Sequence, residues 1–237
     1  MAEPRPLVLT RPRAQAEAFA AEIAARLPGR FRPLIAPVLE ITPLPGAVDL
    51  AGIAALLFTS ANGVAQFAAR EPRRDLTAFC VGEITAEAAR GAGMRAVSAD
   101  GDVVALAALV IARQRPEAGP LLHIRGRHAA GDLAGALAAA GFSTHAAEIY
   151  DQRPCRIGGA PAALLAAGTP AVVAHFSPRS ARLFAAQATE DAWPLAAITS
   201  VALSPAADAA LAGLAFARRL VAAAPTREGM IEALERA

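Results

Sequence analysis

The sequence predicts an α/β protein built from two similar three-layer lobes with mostly parallel sheets, and three observations lead to that class. Short apolar strands alternate with alanine-rich helices, the pattern of parallel sheets covered on both faces. The order of strand, small polar turn and helix begins again near the middle of the chain. Finally, three segments recur in one order. Leu7-Val8-Leu9-Thr10-Arg11-Pro12 returns as Leu121-Leu122-His123-Ile124-Arg125-Gly126. Leu57-Phe58-Thr59-Ser60-Ala61-Asn62-Gly63 returns as Ala174-His175-Phe176-Ser177-Pro178-Arg179-Ser180, and Val81-Gly82-Glu83-Ile84-Thr85 as Leu203-Ser204-Pro205-Ala206-Ala207. Their spacing is far longer than the ~20–50 residues of a solenoid repeat and matches domain duplication.

Taken in order, Leu7 to Leu9 reads as a buried strand and Arg13 to Ala25 as an amphipathic helix closed by Pro28-Gly29. Pro33 to Ile41 is extended, and a turn follows between Pro43 and Leu50. Ala54 to Phe58 is a buried strand and Asn62 to Ala69 a helix. Phe79 to Val81 is a strand, Thr85 to Arg90 a helix, Met94 to Val97 a strand and Val103 to Arg113 a helix. Arg115 to Pro120 joins the two copies. The second pass predicts a strand at Leu121 to Ile124, a helix at Ala130 to Ala140 and a strand at Ser143 to Asp151. It continues with strand Ala171 to His175, helix Arg179 to Gln187, strand Ala196 to Val201, helix Ala206 to Ala212 and a last helix from Arg227 to Arg236.

At 237 residues the chain can form one large domain or two ordinary ones, and the repeat favours two. Hydrophobic content of 55% and a mean hydropathy of +0.38 are high, but alanine supplies much of both. Leu195 to Ala217 is long enough to span a bilayer, yet Thr199, Ser200, Ser204, Pro205 and Asp208 interrupt it. A strand, turn and helix is the better reading, with no membrane partner. Met1-Ala2-Glu3-Pro4 leads straight into a strand pattern, so no signal peptide and a cytoplasmic location are expected. Cys80 and Cys155 lack metal-type spacing and read as reduced packing residues. All 23 basic residues are arginine, which excludes Schiff-base chemistry, a P-loop lysine and pyridoxal phosphate attachment. A net charge of +2 with no basic run argues against a nucleic-acid platform. Without a coiled-coil seam or a repeated exposed apolar stripe, a monomer is expected.

Parallel sheets bind ligands at the carboxyl ends of their strands, where turns open into helix N-termini. The turns Thr59-Ser60-Ala61-Asn62-Gly63 and Ser177-Pro178-Arg179-Ser180 each follow a buried strand and place a hydroxyl to cap. Capping alone is the commoner role of such serines. Finding the device at matching places in both copies points to a ligand with anionic groups. Val81-Gly82-Glu83-Ile84-Thr85 is a further turn of this kind, with Gly82 permitting close backbone approach. His123, His128, His145 and His175 show no metal spacing, and no metal is expected. Gly91-Ala92-Gly93 fits a helix end better than a dinucleotide fingerprint. Hydrolase elbows and zincin pairs are absent. Tyr150, the single tyrosine, ends a strand beside Asp151, Gln152 and Arg153, where a half-buried structural role is the plain alternative.

The ordered set Thr10-Arg11-Pro12, Phe58-Thr59-Ser60, Val81-Gly82 with Thr85, Glu148-Ile149-Tyr150-Asp151-Gln152-Arg153-Pro154, Phe176-Ser177-Pro178 and Ala224-Pro225-Thr226 resembles the uroporphyrinogen-III synthase family. The resemblance covers nearly the whole chain and rests on order and spacing. It implies two α/β lobes joined by a two-stranded antiparallel linker that the chain crosses twice. Residues 1–36 with 155–237 would form one lobe, 43–148 the other, and 37–42 with 149–154 the linker ladder. Such a hinge implies variable lobe angle and a cleft closed by ligand.

The family reaction, by the same resemblance, cyclises hydroxymethylbilane to uroporphyrinogen III with loss of water and inversion of the last pyrrole ring, in heme biosynthesis. No cofactor is implied, because the pyrroles supply the electrons that expel the hydroxyl. Eight substrate carboxylates suit paired helix N-termini, hydroxyls and arginines. Tyr150 is the implied catalytic candidate, donating a proton to the departing hydroxyl or only orienting it. The implied substrate-binding set is Arg11, Thr59, Ser60, Gly82, Thr85, Arg125, Ser177, Arg179, Ser204 and Thr226. Ser204 stands where many members have glycine, and Asn62 where some have a basic residue. Two other classes compete: a noncatalytic two-lobed binding protein for an anionic small molecule, and a response-regulator-like or flavodoxin-like module. The second lacks an acidic phosphoacceptor cluster and a flavin loop.

Overall fold

The computed structural model describes residues 3–128 and 131–237. In chain order the strands are β1 (Arg5–Leu9), β2 (Phe31–Ile35), β3 (Leu39–Pro43), β4 (Ala55–Phe58), β5 (Thr77–Cys80), β6 (Arg95–Ser98), β7 (Leu121–Gly126), β8 (Thr144–Pro154), β9 (Ala171–His175), β10 (Ile198–Ala202) and β11 (Arg218–Val221). The helices are α1 (Arg13–Arg26), α2 (Ala61–Ala68), α3 (Glu83–Gly91), α4 (Val103–Arg113), α5 (Leu133–Ala138), α6 (Gly159–Ala166), α7 (Pro178–Glu190), α8 (Pro205–Ala209) and α9 (Arg227–Glu235). The chain divides into two compact units, Met1–Glu40 with Arg153–Ala237 and Ile41–Gln152.

The first unit holds a five-stranded sheet in the order β11-β10-β9-β1-β2, its neighbours paired in parallel. Strands β9 and β10 are buried along their whole length, so both run as nearly unbroken small and apolar residues. Val8, Val173 and Ile198 share one face with Phe184, Trp193 and Leu211. Each fully buried leucine or valine of this kind contributes about 1.5–3 kcal/mol.

The second unit carries a six-stranded sheet, β3-β8-β7-β4-β5-β6. Strand alternation separates its two faces. Leu56, Phe58, Ala78, Cys80, Leu122 and Ile124 pack under α2 and α3, whereas Ala55, Leu57, Phe79 and Leu121 pack under α4 and α5. Leu44 donates its N–H to the Ile149 carbonyl at 2.9 Å, and within the first unit Cys155 donates to the Val38 carbonyl at 3.0 Å. Starting from β2, the first sheet runs β2-β1-β9-β10-β11; starting from β8, the second runs β8-β7-β4-β5-β6. The segments that recur in the sequence, β1 with β7, β4 with β9 and β5 with β10, therefore hold the same places in their sheets.

Several elements differ from the sequence reading. The extended stretch Pro33 to Ile41 is two strands separated at Ala36-Pro37-Val38. Helix α6 and strand β11 were not expected. Helix α5 begins at Leu133, where Asp132 caps Gly135 N–H, and the predicted start at Ala130 lies outside the described residues. The apolar stretch from Leu195 is a 3-10 turn, β10 and α8. Among the described residues no helix is long and apolar enough to cross a membrane. Cys80 is a core residue whose thiol is pushed up to about 12 by burial.

Candidate functional site

In the second unit the carboxyl ends of β4 and β7 meet Tyr150 of β8. Pairing of β7 with β8 is regular through Arg125 and Glu148 and then shifts, so that Gly126 faces Tyr150 and Ile149 is skipped. This bulge turns two consecutive residues inward, and both Ile149 and Tyr150 join the core under α2. The tyrosine is 3% exposed. Its ring lies against Gly126, where an added Cβ would come within 2.6 Å, and near Gly63 in the first turn of α2, where one would lie at 3.8 Å. Burial raises the Tyr150 pKa above its usual value. Hydrogen bonding from the Ser60 side chain and the Gly126 backbone, and the Arg125 charge, act the other way.

Ser60 caps α2, its Oγ accepting the Asn62 N–H at 3.1 Å. Thr59 Oγ1 lies 3.1 Å from His123 Nε2. His123 is buried, and desolvation with the nearby Arg125 charge lowers its pKa to about 4, so it is neutral near pH 7. Arg125 donates to the carbonyls of Gly126 and Arg127, both at 3.0 Å, and lies 3.4 Å from Glu148. Gly82 starts α3 without a side-chain cap, in extended backbone that any residue adopts, and a Cβ there would meet nothing within 4 Å. Glycine at this place is therefore not required by the fold. Thr85 is buried in the first turn of that helix.

In the first unit the same edge presents Arg11 after β1, Ser177 after β9, Ser204 after β10 and Thr226 after β11. Ser177 Oγ accepts the Ser180 N–H at 3.2 Å, Ser204 Oγ the Ala207 N–H at 3.3 Å and Thr226 Oγ1 the Gly229 N–H at 3.1 Å. Arg179 sits in the first turn of α7. Arg11 stacks over Phe176 at 4.3 Å and donates to Gln15 at 3.2 Å, while its Nε is buried with no hydrogen-bond partner among the described residues. Burial first, and the Arg227 charge second, lower its pKa to about 10; Glu22 opposes them. Helix α1 begins at Arg13, directly after Pro12, without a side-chain cap. Arg11 and Arg227 thus concentrate positive potential beside helix N-termini, an arrangement that favours an anion.

The structure brings Ser60, Arg125 and Tyr150 together and sets Thr59 on His123; Arg11 lies beside Phe176 and within electrostatic range of Arg227. Gly82 and Thr85 belong to one turn at the start of α3, whereas Ser204 and Arg179 belong to the neighbouring turns that open α8 and α7. Sequence reasoning missed Gly126, Gly63, His123 and Arg227. The signal for Gly126 was a glycine at the end of a strand, which marks close approach of another group.

Each unit is an α/β sheet whose strands end in turns that open into helix N-termini, the class of fold that binds ligands at the carboxyl ends of its strands. The model of the uroporphyrinogen-III synthase HemD family matches residues 17–232, and the chain belongs to that family. Its activity is accordingly that of a cyclising lyase acting on hydroxymethylbilane in tetrapyrrole biosynthesis. The chain is similar in fold to the uroporphyrinogen-III synthetase from Helicobacter pylori 26695, with a TM-score of 0.62 at 17% identity over 98% of this chain and 100% of that one. It is also similar to a mutant uroporphyrinogen III synthase from the extremely thermophilic bacterium Thermus thermophilus, with a TM-score of 0.56 at 17% identity over 98% of each. No curated protein matches the chain by sequence.

Proposed function

We propose that the protein closes hydroxymethylbilane with inversion of the last pyrrole ring, and that Tyr150 supplies the proton on which the leaving hydroxyl departs as water. Support comes from the Tyr150 ring, which packs near Gly63 in the first turn of α2, the helix that Ser60 caps. A pyrrole pushes electrons toward the carbon that bears the hydroxyl, the C–O bond breaks and an azafulvene forms. The substituted carbon of the last ring attacks, giving a spiro intermediate that opens and recloses inverted. Holding the chain of pyrroles in this geometry supplies much of the selectivity, since orientation is worth up to ~7–11 kcal/mol in the best intramolecular cases.

Substrate carboxylates are held by Arg11, Arg125 and Arg179, by the hydroxyls of Thr59, Ser60, Thr85, Ser177, Ser204 and Thr226, and by backbone N–H groups including that of Gly82. Arg11 is the strongest member, because its buried Nε lacks a partner among the described residues and Arg227 adds to its field. Thr85 is the weakest, being buried in its own helix turn.

The reading includes two lobes, 1–36 with 155–237 and 43–148, linked by 37–42 and 149–154. Its support is the division of the chain near residues 40 and 152, and the bonds Leu44 to Ile149 and Val38 to Cys155, whose numbers run in opposite senses as an antiparallel ladder requires. It also includes a cytoplasmic monomer without a nucleic-acid partner; the modest net charge of +2 supports the last point. Replacing Tyr150 by phenylalanine tests the chemical assignment. Turnover is expected to fall roughly tenfold or more while substrate binding survives; unchanged turnover removes Tyr150 from the mechanism.

A further inference from the structure

We infer that His123 is a positioning residue for substrate: its Nε2–H donates to Thr59 Oγ1 and so leaves the threonine hydroxyl hydrogen free to bond a substrate carboxylate. The inference rests on the reading of Thr59 as a substrate-binding residue and says what prepares it. The two side chains meet at 3.1 Å. Thr59 follows β4 and is partly exposed at the carboxyl edge of the sheet, whereas His123 lies within β7 and is 6% exposed. Alternation along β7 puts the imidazole on the face that carries Leu57 and Leu121.

The first unit supplies an internal comparison. There β1 and β9 hold the places of β7 and β4, and the registers agree: Leu9 pairs with Ala174 as His123 pairs with Leu57. The position of His123 is therefore that of Leu9, and the position of Thr59 is that of Phe176. Leu9 is fully buried, and Phe176 packs against Phe19 at 4.9 Å. The same sheet closes with an apolar pair at this place, so the fold does not call for threonine and histidine. Burying a polar ring costs desolvation that burying leucine does not. What the polar pair adds is a hydroxyl at the edge with a fixed direction. A threonine hydroxyl has one hydrogen, and a carboxylate only accepts. If that hydrogen pointed at the imidazole, Thr59 would turn lone pairs toward the carboxylate and repel it. Neutral near pH 7, the ring carries one N–H, which this arrangement places on Nε2.

His123→Leu installs the side chain that the first sheet carries and is expected to melt no lower than the wild type. KM for hydroxymethylbilane rises about tenfold while kcat changes less. His123→Gln, whose amide offers an N–H donor at about the reach of Nε2, brings KM back toward the wild-type value. Thr59→Val raises KM to a similar degree, and adding His123→Leu to it produces little further rise. A merely structural histidine would shift the melting temperature and leave KM alone. An unchanged KM in His123→Leu, no recovery in His123→Gln, or two substitutions that multiply their effects on KM would each overturn the inference while Thr59 stays a binding residue. A normal KM in Thr59→Val would remove Thr59 from the site and the inference with it.

Discussion

Gly126 and Tyr150 face each other across the β7–β8 bulge, and a Cβ on Gly126 would lie 2.6 Å from the tyrosine ring, closer than real Cβ contacts come. The missing side chain makes the room that the phenol occupies. Gly126→Ala is expected to push the ring away from Ser60, costing about 1–3 kcal/mol of stability through overpacking and lowering turnover at least as far as Tyr150→Phe does. Urea unfolding and steady-state turnover check both halves; an alanine that leaves them unchanged would mean that the ring does not need this seat.

Arg11 is held at a cost to the free protein, since it is half-buried, its Nε is unpaired among the described residues and Arg227 repels it. Arg11→Met keeps apolar contact with Phe176 and removes the charge. Its melting temperature is expected to equal or exceed that of the wild type, while KM rises about tenfold and depends less on salt. A drop in stability with unchanged KM would make Arg11 a structural residue.

Ser177 separates capping from binding. Aspartate caps as well as serine and suits the positive end of α7, so Ser177→Asp is expected to hold or raise stability. A carboxylate at this turn repels a polycarboxylate substrate, and KM is expected to rise. Ser177→Ala loses the cap at about 1 kcal/mol. If Ser177→Asp were stable and kinetically normal, no substrate carboxylate would bind there.

His175 sets part of the acid limit. It is fully buried among Phe184 and Phe216, its two ring nitrogens find no partner among the described residues, and burial lowers its pKa to about 3. Unfolding returns it to the ordinary value near 6.5. Between those limits the unfolded chain binds the extra proton, so this stabilisation is complete above about pH 6.5 and is lost as pH falls toward 3. His123, lowered to about 4, adds to the same trend. His175→Phe removes two orphaned nitrogens and is expected to be no less stable at pH 7, with a shallower loss between pH 6 and 4 in urea titrations. An unchanged slope would show that other groups govern acid unfolding.

The parallel architecture was legible because β4 and β9 are buried on both faces and so appear as unbroken apolar runs at Ala55–Phe58 and Ala171–Ala174. Helix α4 was legible too, with Asp102 accepting the N–H groups of Val104 and Ala105 at its start. Helix α6 was hidden because only Leu165 of its residues is buried, which leaves no apolar stripe to read. Strand β11 was hidden by its length and by two exposed arginines in four residues. The serine caps were readable as local chemistry. The seat of Tyr150 was not, because it depends on which residues of two strands face each other, and Gly126 at the bulge marks a close approach without naming the residue that approaches.

The most direct test supplies fresh hydroxymethylbilane from a deaminase, adds this protein, and separates the oxidised products into type I and type III uroporphyrin. Spontaneous closure gives the uninverted type I ring. Predominantly type III product that rises with the amount of protein is the predicted result. Type I alone, equal to the protein-free control, would contradict ring-inverting cyclisation by this chain.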